Sequence, residues 1–194
     1  MIAETITLDE EAAMEIDAAK LVTIRKARMQ DISAMARLIN SYANNGIMLP
    51  RNELDLAEGV RDFTVAEIGG EIVGCAALHF YTPIAGEVRS LAVAPEFKGA
   101  GVGRLMVEAL EREARECDLA TLFAFTYVPG FFGKLGFDTV DRRLLPLKAW
   151  KDCLSCPKFQ NCDEIAVLKK LRDVELKPAP PVLEPFVQLP VVRS

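Results

Sequence analysis

The chain has 194 residues, 51% of them apolar and 26% charged, with a formal net charge of −5. That length and balance suit one soluble globular domain with its own hydrophobic core, and the acidic excess argues against a general nucleic-acid binder, which needs a basic surface. No apolar run is long enough to span a membrane, the start MIAETITLDEE does not read as a signal peptide, and five cysteines, an odd number, fit a reducing cytoplasm better than a disulfide framework.

In chain order, residues 1–20 are rich in alanine and acids and read as an N-terminal extension. VTIRKA alternates as a strand should. Asp31 can then cap a helix whose apolar face is Ile32, Met35, Leu38 and Ile39, ending at NNG. A short helix follows Pro50 through NELDLAEGV. FTVAEIGGEIVGCAALHFY predicts two strands joined at Gly69-Gly70, because both turn residues tolerate positive φ. GEVRSLAVAP is the next strand, closed by Pro95. From Gly101 to Glu116, Val102, Leu105, Met106, Ala109 and Leu110 recur at helical spacing. LATLFAFTYV predicts a buried strand, GFFGKL a short helix, GFDTVDRR another strand and EIAVLKKL the last. The tail, residues 173–194, carries five of the eleven prolines and reads as extended. The fold class is α/β, with a mixed, mostly antiparallel sheet flanked by helices in a domain spanning 21–172.

The most specific local feature is the corner after the GEVRSLAVAP strand, where Gly99, Gly101 and Gly103 alternate ahead of a helix. Glycine costs backbone entropy, so such a corner needs bare main chain for a reason. Unsatisfied N–H groups at a helix N-terminus attract phosphate oxygens, and glycines just ahead allow close approach. Lys98 and Arg104 bracket the corner. Neither a dinucleotide-binding fingerprint nor a P-loop is present.

VRSLAVAPEFKGAGVGRLMVEALEREA resembles motif A of the Gcn5-related N-acetyltransferases (GNAT), with the family's closing GF at Gly136-Phe137. The likeness covers roughly Val22 to Leu171. It implies the GNAT fold, with acetyl-CoA as cosubstrate and its pyrophosphate on the amides of Lys98, Gly99, Ala100, Gly101, Val102, Gly103 and Arg104. Lys98 stands where the pattern usually has Arg or Gln, which alters one side-chain contact and leaves the main-chain cradle intact. Backbone amides from Leu91, Ala92 and Val93 are implied to meet the thioester oxygen as charge builds on it.

Acetyl transfer to an amine requires the ammonium to lose a proton, so a placed carboxylate raises the rate. Glu87, at the start of the motif-A strand, is the candidate base, with Glu71 and Glu67 on the preceding hairpin as alternatives. Many GNAT members carry a Tyr that protonates the leaving thiolate; this chain has Phe132 there. Tyr127 lies nearby but in the LFAFTYV strand, where a core role is expected.

GIMLPR, GEVRSLAV, LFAFTYVPGFFGKLGF, LPLKAWKDC and CPKFQNCDEIAV together resemble the stand-alone N-acetylglutamate synthase type of amino-acid acetyltransferase. This implies L-glutamate as acceptor, with L-glutamine open, in the context of arginine biosynthesis. Arg51 matches an arginine that binds the acceptor in the family, and a guanidinium fork suits an α-carboxylate. Lys158 is a second candidate cation. CLSCPKFQNC places Cys153, Cys156 and Cys162 together, but a structural zinc needs four ligands and no fourth is evident, so no metal is expected. His79, the one histidine, reads as a packed or solvent-facing strand end. Small-molecule substrates are the expected partners, with neither nucleic acid nor membrane, and a homodimer stays open. The competing readings are acetylation of a protein N-terminus or other small amine, a non-catalytic CoA-binding regulatory module, and a metal-organised interaction module.

Overall fold

The structure, a computed structural model, describes residues 21–145, 156, 158 and 161–173. The expected N-terminal extension, Cys153 and all but the first residue of the proline-rich tail lie outside them. Among the described residues the strands are β1 (Thr23–Lys26), β2 (Phe63–Ile68), β3 (Glu71–Thr82), β4 (Ala85–Val93), β5 (Thr121–Thr126), β6 (Asp138–Thr139) and β7 (Ile165–Lys170). The helices are α1 (Ile32–Ala43), α2 (Glu53–Glu58), α3 (Val102–Glu116) and α4 (Pro129–Gly133). The strands form a sheet of order β1-β2-β3-β4-β5-β7-β6, parallel only between β4 and β5. None of the described helices is long and apolar enough to cross a membrane.

Alternation along the strands divides the core between the two faces of this sheet. Ala66, Ala76, Leu78, Val88, Leu122 and Ala124 pack on one face against Val102, Met106, Leu110 and Ala114 of α3. Val65, Cys75, Ala77 and Ala92 pack on the other against Met35 and Ile39 of α1 and Leu56 of α2. Each Leu or Ile so buried contributes about 1.5–3 kcal/mol. A third, smaller patch of Phe123, Ala166, Leu168 and Leu145 covers the β5–β7 end of that second face. The gap between the second and third patches is where polar side chains enter.

Charged groups fix the first crossover. Asp31, 5% exposed, accepts the Arg25 guanidinium through both oxygens at 2.7 and 3.0 Å and the Arg28 amide at 2.7 Å. Arg25 also bridges to Glu67 at 2.6 Å. One arginine therefore ties β1 to the start of α1 and to β2.

The elements match the sequence expectations closely, with three differences. Asp31 stands at the N-cap position of α1, but its carboxylate is taken up by Arg25 and the Arg28 amide and makes no capping bond to the helix. GFDTVDRR forms only the two-residue β6, because the Asp141 carboxylate accepts the Arg143 amide at 2.8 Å and starts a 3-10 turn, Arg142–Leu144. In addition, β3 runs on to Thr82, so His79 lies within a strand rather than at its end.

Candidate active site

The site begins with a split in the sheet. β4 and β5 share three parallel rungs, Ala85↔Thr121, Gly86↔Leu122 and Glu87↔Phe123. Beyond them β4 continues to Val93 and β5 to Thr126 without further pairing. The cause lies in β4. Between the rungs Ala77↔Arg89 and Cys75↔Ala92, β4 has two residues, Ser90 and Leu91, against the single Ala76 of β3. Ser90 takes up the extra length at φ +53°, a left-handed conformation rare outside glycine. Such a bulge bends its strand and sharpens the twist, which turns β4 away from β5 and opens a V.

Glu87 occupies the last rung before the strands part and is 2% exposed. The alternative carboxylates lie elsewhere: Glu67 is held by Arg25, and Glu71 is exposed just past the Gly69-Gly70 turn. Of the three acids considered, Glu87 alone stands at the base of the V.

The glycine corner lies at the other end of β4. Gly101 caps α3 at φ +77°, and Gly99 has φ +86°. A Cβ on Gly99 would meet nothing within 4 Å, and one on Gly101 only the Arg104 Nη2 at 3.7 Å. The corner is thus a main-chain hollow facing the positive end of a fifteen-residue helix, which fits the pyrophosphate of CoA. At Gly103 a Cβ would make ordinary contact with the Phe131 ring at 3.4 Å and with the Val93 Cγ2 at 3.7 Å. Ala100 and Val102 are buried, and the exposed Arg104 pairs with Glu108 at 3.3 Å. Lys98 places its ammonium 4.7 Å above the Tyr42 ring, and the Tyr42 hydroxyl donates to the Val93 carbonyl. Tyr42 therefore ties α1 to the end of β4. On β4 itself, Leu91 and Val93 pack partly buried toward α3, while Ala92 is buried toward α1.

A second group of residues converges from the loops. Arg51 lies half-buried in the segment between α1 and α2, its backbone held at both polar groups by the Asn40 side chain at 2.8 and 3.0 Å. Among the described residues its guanidinium makes no hydrogen bond or ion pair. Lys158 donates to the Gly46 carbonyl at 3.3 Å and to the Tyr127 hydroxyl at 2.9 Å, and lies 3.6 Å from the Asp163 carboxylate. The Tyr127 hydroxyl in turn donates to Asp163 at 2.9 Å. Burial pushes the Tyr127 phenol up, and its hydrogen bond to Lys158 raises the ammonium, so both keep their protons. Lys158 thereby links the segment that carries Arg51 to the end of β5.

One side chain departs from its expected role. Tyr127 is not in the core: β5 ends at Thr126, and the ring is exposed with its hydroxyl in the Lys158–Asp163 cluster. Phe132 is core, 3% exposed and edge-on to Phe131 and Phe137. His79 is half-buried and shares a hydrogen bond of 3.0 Å with Asp62. Asn40, Tyr42, Asp62 and Ser90 carried no sequence signal beyond residue type. Cys156 and Cys162 are half-buried free thiols, and among the described residues no group of three or more His, Cys, Asp or Glu could hold a metal ion.

Comparison with known proteins accords with this geometry. Residues 32–137 match the acetyltransferase (GNAT) family. An uncharacterized N-acetyltransferase of Chlorobaculum tepidum is 43% identical over 148 residues, covering 76% of this chain and 96% of that protein. An amino-acid acetyltransferase of Mycobacterium tuberculosis is 37% identical over 121 residues, covering 61% of this chain and 69% of that one. In structure, the N-acetylglutamate synthase of Neisseria gonorrhoeae, complexed with coenzyme A and N-acetyl-glutamate, superposes with a TM-score of 0.71 at 30% identity. That match covers 78% of this chain and 35% of the longer synthase.

Proposed function

The chain belongs to the acetyltransferase (GNAT) family, and we propose that it moves the acetyl group of acetyl-CoA to the α-amine of L-glutamate, with L-glutamine as a related acceptor. The observation that carries this reading is Glu87, a buried carboxylate on the last rung before β4 and β5 part. Acetyl-CoA supplies an activated thioester carbonyl. The main-chain hollow at Gly99–Gly101 would hold its pyrophosphate, and the outer edge of β4 from Leu91 to Val93 would flank the thioester arm. Glu87 takes a proton from the incoming ammonium, which frees the lone pair for attack. Amides of β4 then stabilise the oxyanion as the carbon–nitrogen bond forms, and the thiolate leaves and is protonated. Phe132 lacks a proton to give, so that proton comes from water or a nearby hydroxyl.

Arg51 supports an amino acid as acceptor. Asn40 fixes its backbone while its guanidinium has no ion partner among the described residues, as a carboxylate clamp requires. Similarity to amino-acid acetyltransferases supports the same class, and the reaction would be the first step of arginine biosynthesis in the cytoplasm. The test is release of CoA thiol from acetyl-CoA across the twenty amino acids and a short peptide with a free N-terminus. Turnover with glutamate or glutamine well above the rest is expected. Selective turnover of the peptide would replace the amino-acid reading, and no turnover with any amine would make the protein a CoA-binding module.

A further inference from the structure

We propose that His79, held by Asp62, is the route by which the proton taken up by Glu87 reaches solvent. The proposal rests on the reading of Glu87 as the base for the amine. Its starting point is stoichiometry. An ammonium acceptor loses two protons on becoming an amide, and the departing thiolate takes one. One proton per turnover must therefore leave the site, and Glu87, at 2% exposure, has almost no contact with bulk water.

The residue directly opposite Glu87 across the antiparallel β3–β4 ladder is His79. Side chains at such a pair project from the same face, with Cβ atoms about 4.5–5.5 Å apart. On its outer side the His79 Nδ1 lies 3.0 Å from the Asp62 Oδ2. Side-chain exposure rises along the series, from the buried Glu87 to 17% at His79 and 31% at Asp62. Three ionisable groups thus lead from the base of the V to the surface. A neutral imidazole that donates Nδ1–H to Asp62 carries its lone pair on Nε2, the atom able to accept.

The proton balance closes. Glu87 receives the ammonium proton and becomes a carboxylic acid. It passes that proton to the His79 Nε2 and returns to carboxylate. The imidazolium, its charge offset by Asp62, then releases a proton to water. Tyr81 lies edge-on to the ring at 5.1 Å, and Arg89 stands two residues beyond Glu87 on β4. Arg61 neighbours Asp62 on the 3-10 turn Val60–Asp62 and is exposed. His79 therefore acts through Glu87, as a positioning and proton-carrying residue.

The experiment compares kcat against pH for wild type, His79→Gln, His79→Ala, Asp62→Asn and Glu87→Gln, using acetyl-CoA and the best acceptor from the amino-acid screen. For His79→Gln a loss of roughly ten- to thirtyfold is expected near neutral pH, below the 10²–10⁴ ascribed to direct acid–base catalysis. The loss should shrink as pH rises, because a neutral amine sheds one proton and the thiolate takes it, leaving none to export. Added imidazole should restore part of the rate of His79→Ala at neutral pH. Asp62→Asn, at a half-exposed position, should show a smaller loss of the same pH shape with an unchanged melting temperature. His79→Gln at the wild-type rate while Glu87→Gln collapses would overturn the relay alone. A loss equal at all pH values, without imidazole rescue, would reduce His79 to a structural part and overturn it too. Glu87→Gln at the wild-type rate would overturn the base assignment itself, and the relay with it.

Discussion

Asn40 grips Arg51 by its backbone: the asparagine Nδ2 donates to the Arg51 carbonyl at 2.8 Å and its Oδ1 accepts from the Arg51 amide at 3.0 Å. A side chain on α1 thus sets where the Arg51 Cα stands without touching its guanidinium. Two classes of variant should separate position from charge. Arg51→Lys keeps the charge and loses the fork, and is expected to raise the KM for the amino acid about tenfold or more, since a charge-assisted hydrogen bond contributes about 1.5–3 kcal/mol. Asn40→Ala should raise the same KM by a smaller factor and leave the KM for acetyl-CoA unchanged. Steady-state kinetics with both substrates varied checks this; equal loss for acetyl-CoA would mean that the segment after α1 has lost its fold.

The three glycines of the corner should separate by function. Gly99→Ala and Gly101→Ala place a methyl at φ +86° and +77°, where L-residues pay about 1–2 kcal/mol, and project it into the hollow. Each is expected to raise the KM for acetyl-CoA about tenfold or more while lowering the melting temperature by a few degrees. Gly103→Ala, whose Cβ would make ordinary contact with the Phe131 ring at 3.4 Å and with Val93 at 3.7 Å, should leave the KM for acetyl-CoA close to wild type. Cofactor titration of all three variants checks the contrast.

Much of this was legible in the sequence, and what was not has a physical pattern. The paired glycines at 69 and 70 do adopt positive φ, +59° and +89°, because a hairpin turn is a local event written in local residues. The placement of Glu87 also followed from its strand. Ser90 at positive φ did not, since nothing in the residue type asks for it and only the extra residue in β4 imposes it. The nearness of the Phe131 ring to Gly103, 28 residues apart in the chain, was likewise not legible from the spacing of the glycines. The Asn40–Arg51 and His79–Asp62 pairs escaped for the same reason: each joins ordinary polar residues from separate elements. The Lys158 cluster likewise required three segments to meet.

Lys158→Met and Tyr127→Phe should test that cluster. The methionine removes the bonds to Gly46 and Tyr127; the phenylalanine removes the hydroxyl between Lys158 and Asp163 and preserves every charge. A rise of about three- to tenfold in the KM for the amino acid is expected for Lys158→Met, on the scale of one hydrogen bond to a charged group, with a smaller parallel rise for Tyr127→Phe. A large effect of Lys158→Met with none from Tyr127→Phe would instead indicate that the ammonium meets the substrate carboxylate itself.

Acid should loosen the β1–α1 crossover. The Arg25 hydrogen bonds hold the Asp31 carboxyl below the usual carboxylate range. A folded-state pKa lowered in this way adds stability that is fully present above the unfolded value, about 4, and is lost as pH falls through the folded one. Asp31→Asn should therefore destabilise the protein by about 2 kcal/mol at pH 7, and the gap from wild type should close below pH 4. Urea denaturation at a series of pH values measures it; a constant gap would show that packing, not charge, sets the cost.

The three rungs joining β4 to β5 make the sheet two panels on a short hinge, one of four strands and one of three. Gly86 sits on the middle rung of that hinge: a Cβ there would lie 2.7 Å from the Leu119 Cδ1 and 3.0 Å from the Leu78 Cδ1, so a side chain at this position would force those two leucines to shift. The opening between β4 and β5 is thus a property of the whole scaffold. Gly86→Ala, away from both the Gly99–Gly101 hollow and Arg51 in the chain, should press on the hinge through those leucines and is expected to weaken kcat/KM for both substrates together. Loss of activity from such a core substitution would come through the strand that carries Glu87, not through a lost contact to either substrate.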